Sequence, residues 1–159
     1  MRIMLLTALA AFGIDQLSKW AVVHKMNLLQ VGAIDVFPPL LNFRMGWNPG
    51  INFGLLSDNP EIMRVVLIAL AVVISGFLLW WGNRNLERPI AHMGAGLVIG
   101  GALANALDRV IYGAVADFLN MSCCGINNPF VFNVADIFIF AGAFALVIFD
   151  KPKDEQGSV

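Results

Sequence analysis

The stretch GAGLVIGGALANALDR, residues Gly94–Arg109, decides which fold this chain adopts. It lies inside an apolar run from Pro89 to Ile111, and about 20 apolar residues let a helix cross the roughly 30 Å hydrocarbon core of a bilayer. Its small residues, with a GxxxG from Gly96 to Gly100, allow a neighbouring helix to approach closely. The stretch therefore predicts a membrane-spanning helix packed tightly against another helix.

The composition extends this interpretation to the whole chain. Of its 159 residues, 58% are hydrophobic and 13% are charged, whereas soluble domains usually carry about 25% charged residues. The length suits one domain, so we predict a mainly α membrane protein with a single integral membrane domain, residues 1–159, built as a four-transmembrane-helix bundle. The predicted spans are about residues 3–23, 62–82, 89–111 and 132–149.

The first predicted span has a second interpretation. Met1-Arg2 followed by an apolar run is also typical of a secretory signal peptide. The apolar run continues through Trp20 to Val23, which favours a helix that is retained.

The basic residues predict the orientation of the spans, because cytoplasmic loops carry an excess of Lys and Arg. One side of the membrane would hold Arg2, the turn with Arg84 and Arg88, and a tail with Lys151 and Lys153. Both termini are therefore expected in the cytoplasm, together with the tail at residues 150–159. The loops at about residues 24–61 and 112–131 are expected on the outer side.

The first outer loop carries its own structural signal, VFPPLLNFRMGWNPGINFGLL. Two proline turns separate β-prone, partly alternating stretches. We predict a small extracytoplasmic β-sheet within residues 24–61, resting on the membrane surface with Trp47 at headgroup level. The alternative is an irregular apolar loop.

Polar residues of three predicted helices fall in one layer. At about 1.5 Å per residue, Asp15, Asn105 and Asp136 lie roughly 20 to 24 Å from the cytoplasmic edge. Asp117 follows the end of the third helix, near the outer surface. Ionisable groups inside a membrane are costly and usually functional, so the sequence predicts one site in the outer third of the bilayer.

Two of the acidic residues have a basic residue close by in sequence. Asp15 and Lys19 are four residues apart and share a helix face, and Asp108 precedes Arg109. We interpret both as pairs that neutralise charge and brace the bundle.

The other two acidic residues, Asp117 and Asp136, have no cation in their own segments. Two carboxylates that lie close together in a low-dielectric layer do not both ionise. An aspartyl hydrolase uses such a pair, in which one carboxylate activates water while its protonated partner polarises the scissile carbonyl. A catalytic pair is one hypothesis. A proton-coupled transporter or channel subunit is another, although its relay should thread the whole bilayer. A purely structural membrane subunit does not explain two unpaired aspartates.

Other classes of site have little support in the sequence. The net charge of −1 and the lack of a basic run predict no nucleic-acid surface. Cys123 and Cys124 are adjacent, and such a pair rarely forms a good disulfide because its geometry is strained. Their spacing fits no metal site, so we predict no catalytic role for them.

Five motifs, taken in order, resemble lipoprotein signal peptidase, the bacterial signal peptidase II family. Each motif alone is weak, but the ordered set is specific. The motifs are DQLSK (Asp15–Lys19), NPGINFG (Asn48–Gly54), GGALANALDR (Gly100–Arg109), VADF (Val115–Phe118) and FNVAD (Phe132–Asp136).

The resemblance implies an aspartic endopeptidase of the bacterial inner membrane, with its active site near the periplasmic face. Its substrates would be prolipoproteins with a diacylglyceryl group on cysteine, cut just before that cysteine. Asp117 and Asp136 match the catalytic aspartates. The resemblance also implies contact with membrane lipids, a β-cradle and a short helix that grip the substrate, inhibition by globomycin-type cyclic peptides, a monomer, and no metal or cofactor.

The resemblance further assigns substrate-binding or supporting roles to a set of polar and small residues. Three positions depart from the family pattern, namely Ile51, Asn52 and Ala104, and none is a catalytic aspartate. The assigned set is Asp15, Lys19, Asn48, Gly50, Gly101, Asn105, Asp108, Arg109, Asn133 and Ala135.

Overall fold

The computed structural model describes residues 1–50, 59–123 and 128–149. The fold is mainly helical with one small antiparallel sheet, as predicted. The helices are α1 (Arg2–Lys19), continued by a π-helical segment (Trp20–Lys25), then α2 (Leu28–Val31), α3 (Pro60–Asn85), α4 (Pro89–Tyr112) and α5 (Val134–Phe149). The strands are β1 (Ala33–Phe37), β2 (Leu41–Asn48) and β3 (Val115–Asn120).

Helix α4 is the centre of the bundle and packs against α1, α3 and α5. In the most apolar 18-residue stretch of α4, 56% of the residues are buried; in the corresponding stretch of α3 the share is 11%. Glycines make the close approach possible. A Cβ on Gly100 would collide with the carbonyl oxygen of Ala8 in α1, and a Cβ on Gly101 would lie 2.6 Å from the carbonyl oxygen of Ala135 in α5. The predicted close helix contact is therefore confirmed, on two sides of α4.

The helices differ in how strongly they resemble membrane spans. Within the described ranges, α3 and α4 are long and apolar enough to cross a membrane, and α5 is a shorter apolar helix. Helix α1 has 18 residues and includes the charged residues Arg2, Asp15 and Lys19. Asp15 and Lys19 are buried, whereas Arg2 is exposed.

The sheet has the order β1-β2-β3 with antiparallel neighbours. The first two strands come from the loop at residues 24–61, where a sheet was predicted. The third strand was not predicted: it comes from the segment that carries Asp117, and it pairs Gly46 with Asp117 and Trp47 with Ala116. The sheet therefore joins the loop before α3 to the loop after α4.

Strand β3 also fixes where α5 begins. Leu119 forms an isolated β-bridge with Phe132, and the carbonyl oxygen of Phe132 accepts the backbone N–H groups of Phe118 and Leu119. Phe132 is thus held in an extended pairing, and the helix starts at Val134, two residues after the start of the predicted span.

Candidate active site

The two aspartates come from different elements and both contact Asn133. Asp117 is the third residue of β3, is 1% exposed, and is paired in register with Gly46 of β2. Asp136 is the third residue of α5, in the first turn of that helix.

Asn133 connects the two aspartates. Its side-chain Nδ2 donates to Asp117 Oδ1 at 2.6 Å, while its Oδ1 accepts the backbone N–H of Asp136 at 3.0 Å. Asp136 Oδ2 in turn accepts the backbone N–H of Asn133 at 3.2 Å. This reciprocal pair is a capping box, which satisfies N–H groups at the start of a helix. The N-x-x-D spacing typical of such a cap is present in FNVAD, residues 132–136.

Two more asparagines complete the shell around the carboxylates. Asn105 Nδ2 donates to Asp136 Oδ1 at 2.9 Å, and its Oδ1 accepts from Asn133 Nδ2 at 3.1 Å. Asn48, at the end of β2, donates from Nδ2 to Asp117 Oδ2 at 3.1 Å. Each of the four carboxylate oxygens therefore holds one N–H donor. Since a carboxylate oxygen has two lone pairs, each keeps room for one further partner.

The environment of Asp117 favours its protonated form. Burial, which disfavours the charged carboxylate, and the nearby charge of Asp136 raise the pKa of Asp117 from 3.8 to about 6. Hydrogen bonds from Asn48 and Asn133 and the positive charge of Lys19 oppose that rise in pKa. A carboxyl group that binds a proton this readily beside a second carboxyl suits a pair that shares one proton.

The raised pKa predicts a pH effect on stability. Asp117 binds its proton more tightly when folded than when unfolded, so its contribution to the free energy of unfolding is largest below about pH 4 and is lost as the pH rises through about 6. Asp117→Asn removes this titration. Between about pH 5 and about pH 7.5, we expect the parent to lose about 1 kcal/mol more than the variant. Thermal unfolding in detergent at both pH values measures the difference. The control is Asp35→Asn, at an exposed position on β1, and equal pH dependence in parent and Asp117→Asn would contradict the prediction.

A buried ion-pair triad lies next to the aspartates. Lys19 Nζ is 2.8 Å from Asp15 Oδ2, as the sequence predicted, and 2.7 Å from Asp108 Oδ2. The predicted pair of Asp108 with Arg109 is wrong. Consecutive residues of a helix do not face each other, and Asp108 points towards α1, where Gln16 Nε2 also donates to it at 3.0 Å.

Arg109 lies on another side of α4. Its Nη1 donates to the carbonyl oxygen of Asn105 at 3.2 Å, and its Nε is buried with no hydrogen-bond partner in the described part of the chain. Its charge interacts with Asp117 and Asp136. The two aspartates thus have a nearby cation, Arg109, on a different segment, so the absence of a cation in their own segments does not leave them without positive charge.

Comparison with known proteins relates the chain to a known family. Residues 7–150 match the family model described as signal peptidase (SPase) II. The chain belongs to the signal peptidase II family. Two curated relatives named lipoprotein signal peptidase show the same likeness. The one from Rhodopseudomonas palustris is 35% identical over 149 residues, covering 92% of this chain and 90% of the relative. The one from Neisseria meningitidis serogroup C is 36% identical over 141 residues, covering 89% and 84%.

Solved structures confirm the predicted membrane fold. A bacterial membrane enzyme determined by the in meso method at 2.3 Å resolution superposes with a TM-score of 0.78, at 24% identity, over 100% of this chain and 95% of that one. A second bacterial membrane enzyme, determined at 1.9 Å, also gives 0.78, at 25% identity, over 93% and 92%.

The small residues assigned from the signal peptidase II resemblance lie where a side chain would disturb the site. Gly50 has a φ of 136°, which favours glycine, and its N–H donates to Asn48 Oδ1 at 3.0 Å. Ala135 is fully buried, and its N–H donates to Asp15 Oδ1 at 2.8 Å. Gly101 contacts the same turn of α5.

The departures from the signal peptidase II pattern fall in two places. Ile51 and Asn52 lie outside the described residues. Ala104 is fully buried in α4, and its carbonyl oxygen accepts from Gln16 Nε2 at 3.4 Å.

The cysteine expectation needs a correction. Cys123 is disulfide-bonded, although strain argued against a good disulfide between neighbouring cysteines. Cys124, the other cysteine of the chain, lies outside the described residues. Within the described ranges, no group of three or more His, Cys, Asp or Glu side chains is arranged to hold a metal ion.

Proposed function

We propose that this chain is an intramembrane aspartic endopeptidase that removes the signal peptide from diacylglyceryl-modified prolipoproteins, cutting just before the lipidated cysteine. The observation that carries the proposal is the pair of buried Asp117 and half-buried Asp136, joined through the buried Asn133. Membership of the signal peptidase II family and relatives named lipoprotein signal peptidase support the substrate class.

The proposed chemistry needs one proton shared by Asp117 and Asp136. The ionised carboxylate accepts a proton from water, whose oxygen attacks the scissile carbonyl carbon. The protonated partner donates to the carbonyl oxygen, which becomes a hydroxyl in the tetrahedral intermediate. When the C–N bond breaks, the carboxyl that took the proton from water passes it to the leaving amine. As the carbonyl re-forms, a hydroxyl of the intermediate returns its proton to the other carboxylate, so the pair again holds one shared proton.

The surrounding residues support this chemistry by orientation and charge. The amide donors of Asn48, Asn105 and Asn133 hold the carboxylates by hydrogen bonds without neutralising them. The positive charge of Arg109 acts on both aspartates, which favours keeping one of them ionised. These groups arrange the pair before substrate arrives, so little reorganisation is needed during the reaction.

The proposed setting is the bacterial inner membrane, with both termini in the cytoplasm and the active site near the periplasmic face. A lipid-bearing substrate is confined to the bilayer, so its scissile bond lies near the interface. A site in the outer third of the membrane meets that requirement. We propose that the enzyme acts as a monomer in contact with membrane lipids, without a metal or cofactor, and that globomycin-type peptides inhibit it.

Cleavage of a defined substrate tests the proposal. Purified protein is incubated with a diacylated prolipoprotein, and the product is followed on a gel and by mass spectrometry. We expect a globomycin-sensitive shift and a mature product whose first residue is the lipidated cysteine. The control is the same prolipoprotein without the diacylglyceryl group, which should stay uncut. Cleavage at another bond, or equal cleavage of both forms, would refute the proposed specificity.

A further inference from the structure

The buried triad of Asp15, Lys19 and Asp108 has contacts beyond its own charges. The three residues are 0%, 5% and 1% exposed, and Lys19 lies between the two carboxylates. A salt bridge that only braced α1 against α4 would need nothing more. Each acid of the triad, however, also accepts a backbone N–H from an element that carries one of the two catalytic candidates.

The first of these contacts reaches α5. Asp15 Oδ1 accepts the N–H of Ala135 at 2.8 Å, and Ala135 is the residue immediately before Asp136. That N–H belongs to the first turn of α5, where backbone donors have no partner inside the helix. Asp15 therefore caps α5 from a different helix.

The second contact reaches β3. Asp108 Oδ2 accepts the N–H of Ala116 at 3.2 Å, and Ala116 is the residue immediately before Asp117. The relation is the same at both ends: each acid of the triad holds the main chain one residue before an aspartate of the pair. Hydrogen bonds to ionised carboxylates are stronger than neutral ones, so both elements are firmly held.

The distance between these two anchor points depends on Lys19. Without its ammonium group, two buried carboxylates of like charge would face each other and repel. With the ammonium group present, the carboxylates of Asp15 and Asp108 both contact Lys19 Nζ. The same ammonium donates to Asn105 Oδ1 at 3.3 Å, and Asn105 is itself hydrogen-bonded to Asp136.

We propose that Lys19 is the positioning residue that sets the separation of Asp117 and Asp136, acting through Asp15 on α5 and through Asp108 on β3. The inference rests on the proposed function, because it concerns the geometry of that catalytic pair. Lys19 also acts on Asp117 directly through its positive charge, and the hydrogen-exchange measurement below separates that effect from positioning.

A cavity beside the triad makes a specific test possible. It has a volume of about 180 Å³ and is lined by Lys19 and Asp108, with aromatic residues around it. A small alkylammonium ion can therefore reach the place of the lysine ammonium in a Lys19→Ala variant. Lys19→Met fills the same space with an apolar chain and leaves no room for the ion. The remaining lining residues are Gln16, Trp20, Val23, His24, Trp47, Tyr112 and Ala116.

The kinetic test compares these variants on a diacylated prolipoprotein. For Lys19→Ala we expect kcat to fall about 100-fold, since a misplacement near 1 Å can cost that much, with KM changed less than about 3-fold. Ethylammonium or propylammonium chloride should restore kcat at least about 10-fold and saturably, and sodium chloride of equal ionic strength should not. Lys19→Met and Asp117→Asn should show no rescue. The control Lys25→Ala removes an exposed lysine that lies 5.2 Å from the ring of Trp20, and it should keep parental activity.

Hydrogen exchange does not depend on catalytic activity, so it tests the positioning role of Lys19 separately from the proposed function. Hydrogen exchange of peptides containing Ala116 and Ala135 should speed up in folded Lys19→Ala and slow again with propylammonium. If the parent protein cuts no prolipoprotein but exchange follows this pattern, the proposed function fails and the anchoring by Lys19 stands. Unchanged kcat in Lys19→Ala, a loss confined to KM, or unchanged exchange at both peptides would overturn the positioning role.

Discussion

Asp117→Asn and Asp136→Asn are each expected to lower cleavage of a diacylated prolipoprotein by about 10³-fold or more, because a positioned acid or base contributes typically 10² to 10⁴ and an amide can neither accept nor hold the shared proton. Both variants should stay folded. Each aspartate contacts N–H donors from neighbouring residues, and the carboxamide oxygen of asparagine can still accept one of them.

Rates from initial cleavage on gels measure this effect, with the thermal transition as the check on folding. Asp35→Asn is a matched control, since it makes the same change at an exposed acid on β1 and should leave the rate unchanged. More than about a tenth of the parental rate in both active-site variants would rule out the aspartate pair as the catalyst, given the size of the expected effect.

Gly101→Ala is expected to lower the rate about 100-fold, although it adds a single methyl group. The new Cβ would lie 2.6 Å from the carbonyl oxygen of Ala135 and 2.8 Å from the side chain of Ile139, closer than real contacts allow. Helix α5 must therefore move away from α4. Because Ala135 directly precedes Asp136, that movement shifts one member of the pair, and shifts near 1 Å can cost about 10² in rate.

The matched control for this change is Gly76→Ala on α3, where no atom lies within 4 Å of the added Cβ. It should keep the parental rate and thermal transition. Steady-state kinetics should show the loss in Gly101→Ala mainly in kcat, as expected for a displaced catalytic group. Parental kinetics in Gly101→Ala would mean that α5 can adjust without moving the site.

Local features of the sequence explain which parts of this structure could be predicted. Hydropathy and helix length indicated the four main helices, and the i, i+4 spacing of Asp15 and Lys19 placed them on one helix face, where they do pair. The predicted layer of polar residues rested on the rise per residue, and the structure brings Asp15, Asn105 and Asp136 close together. These are properties of single segments, so one sequence was enough.

Contacts between segments were harder to predict. Asp108 has an adjacent arginine in sequence, yet its ion-pair partner is Lys19 on another helix, because helix rotation decides which side chains meet. The third strand was missed because the pairing of β2 with β3 joins residues about 70 positions apart, such as Asn48 and Val115. The role of Asn133 as both cap and bridge depends on β3 ending beside the start of α5.

The peripheral position of α3 has a consequence for how this chain can vary through evolution. In its most apolar 18-residue stretch 11% of the residues of α3 are buried, against 56% in α4. Most side chains of α3 are therefore not covered by the rest of the described chain, and in a membrane they would need only to be apolar. Exchanges among Leu, Ile, Val and Phe there should be nearly neutral. Helix α4, with glycines against two backbones, allows little such drift. Sequence differences among homologous enzymes should therefore accumulate along α3 and record ancestry there, while α4 changes slowly.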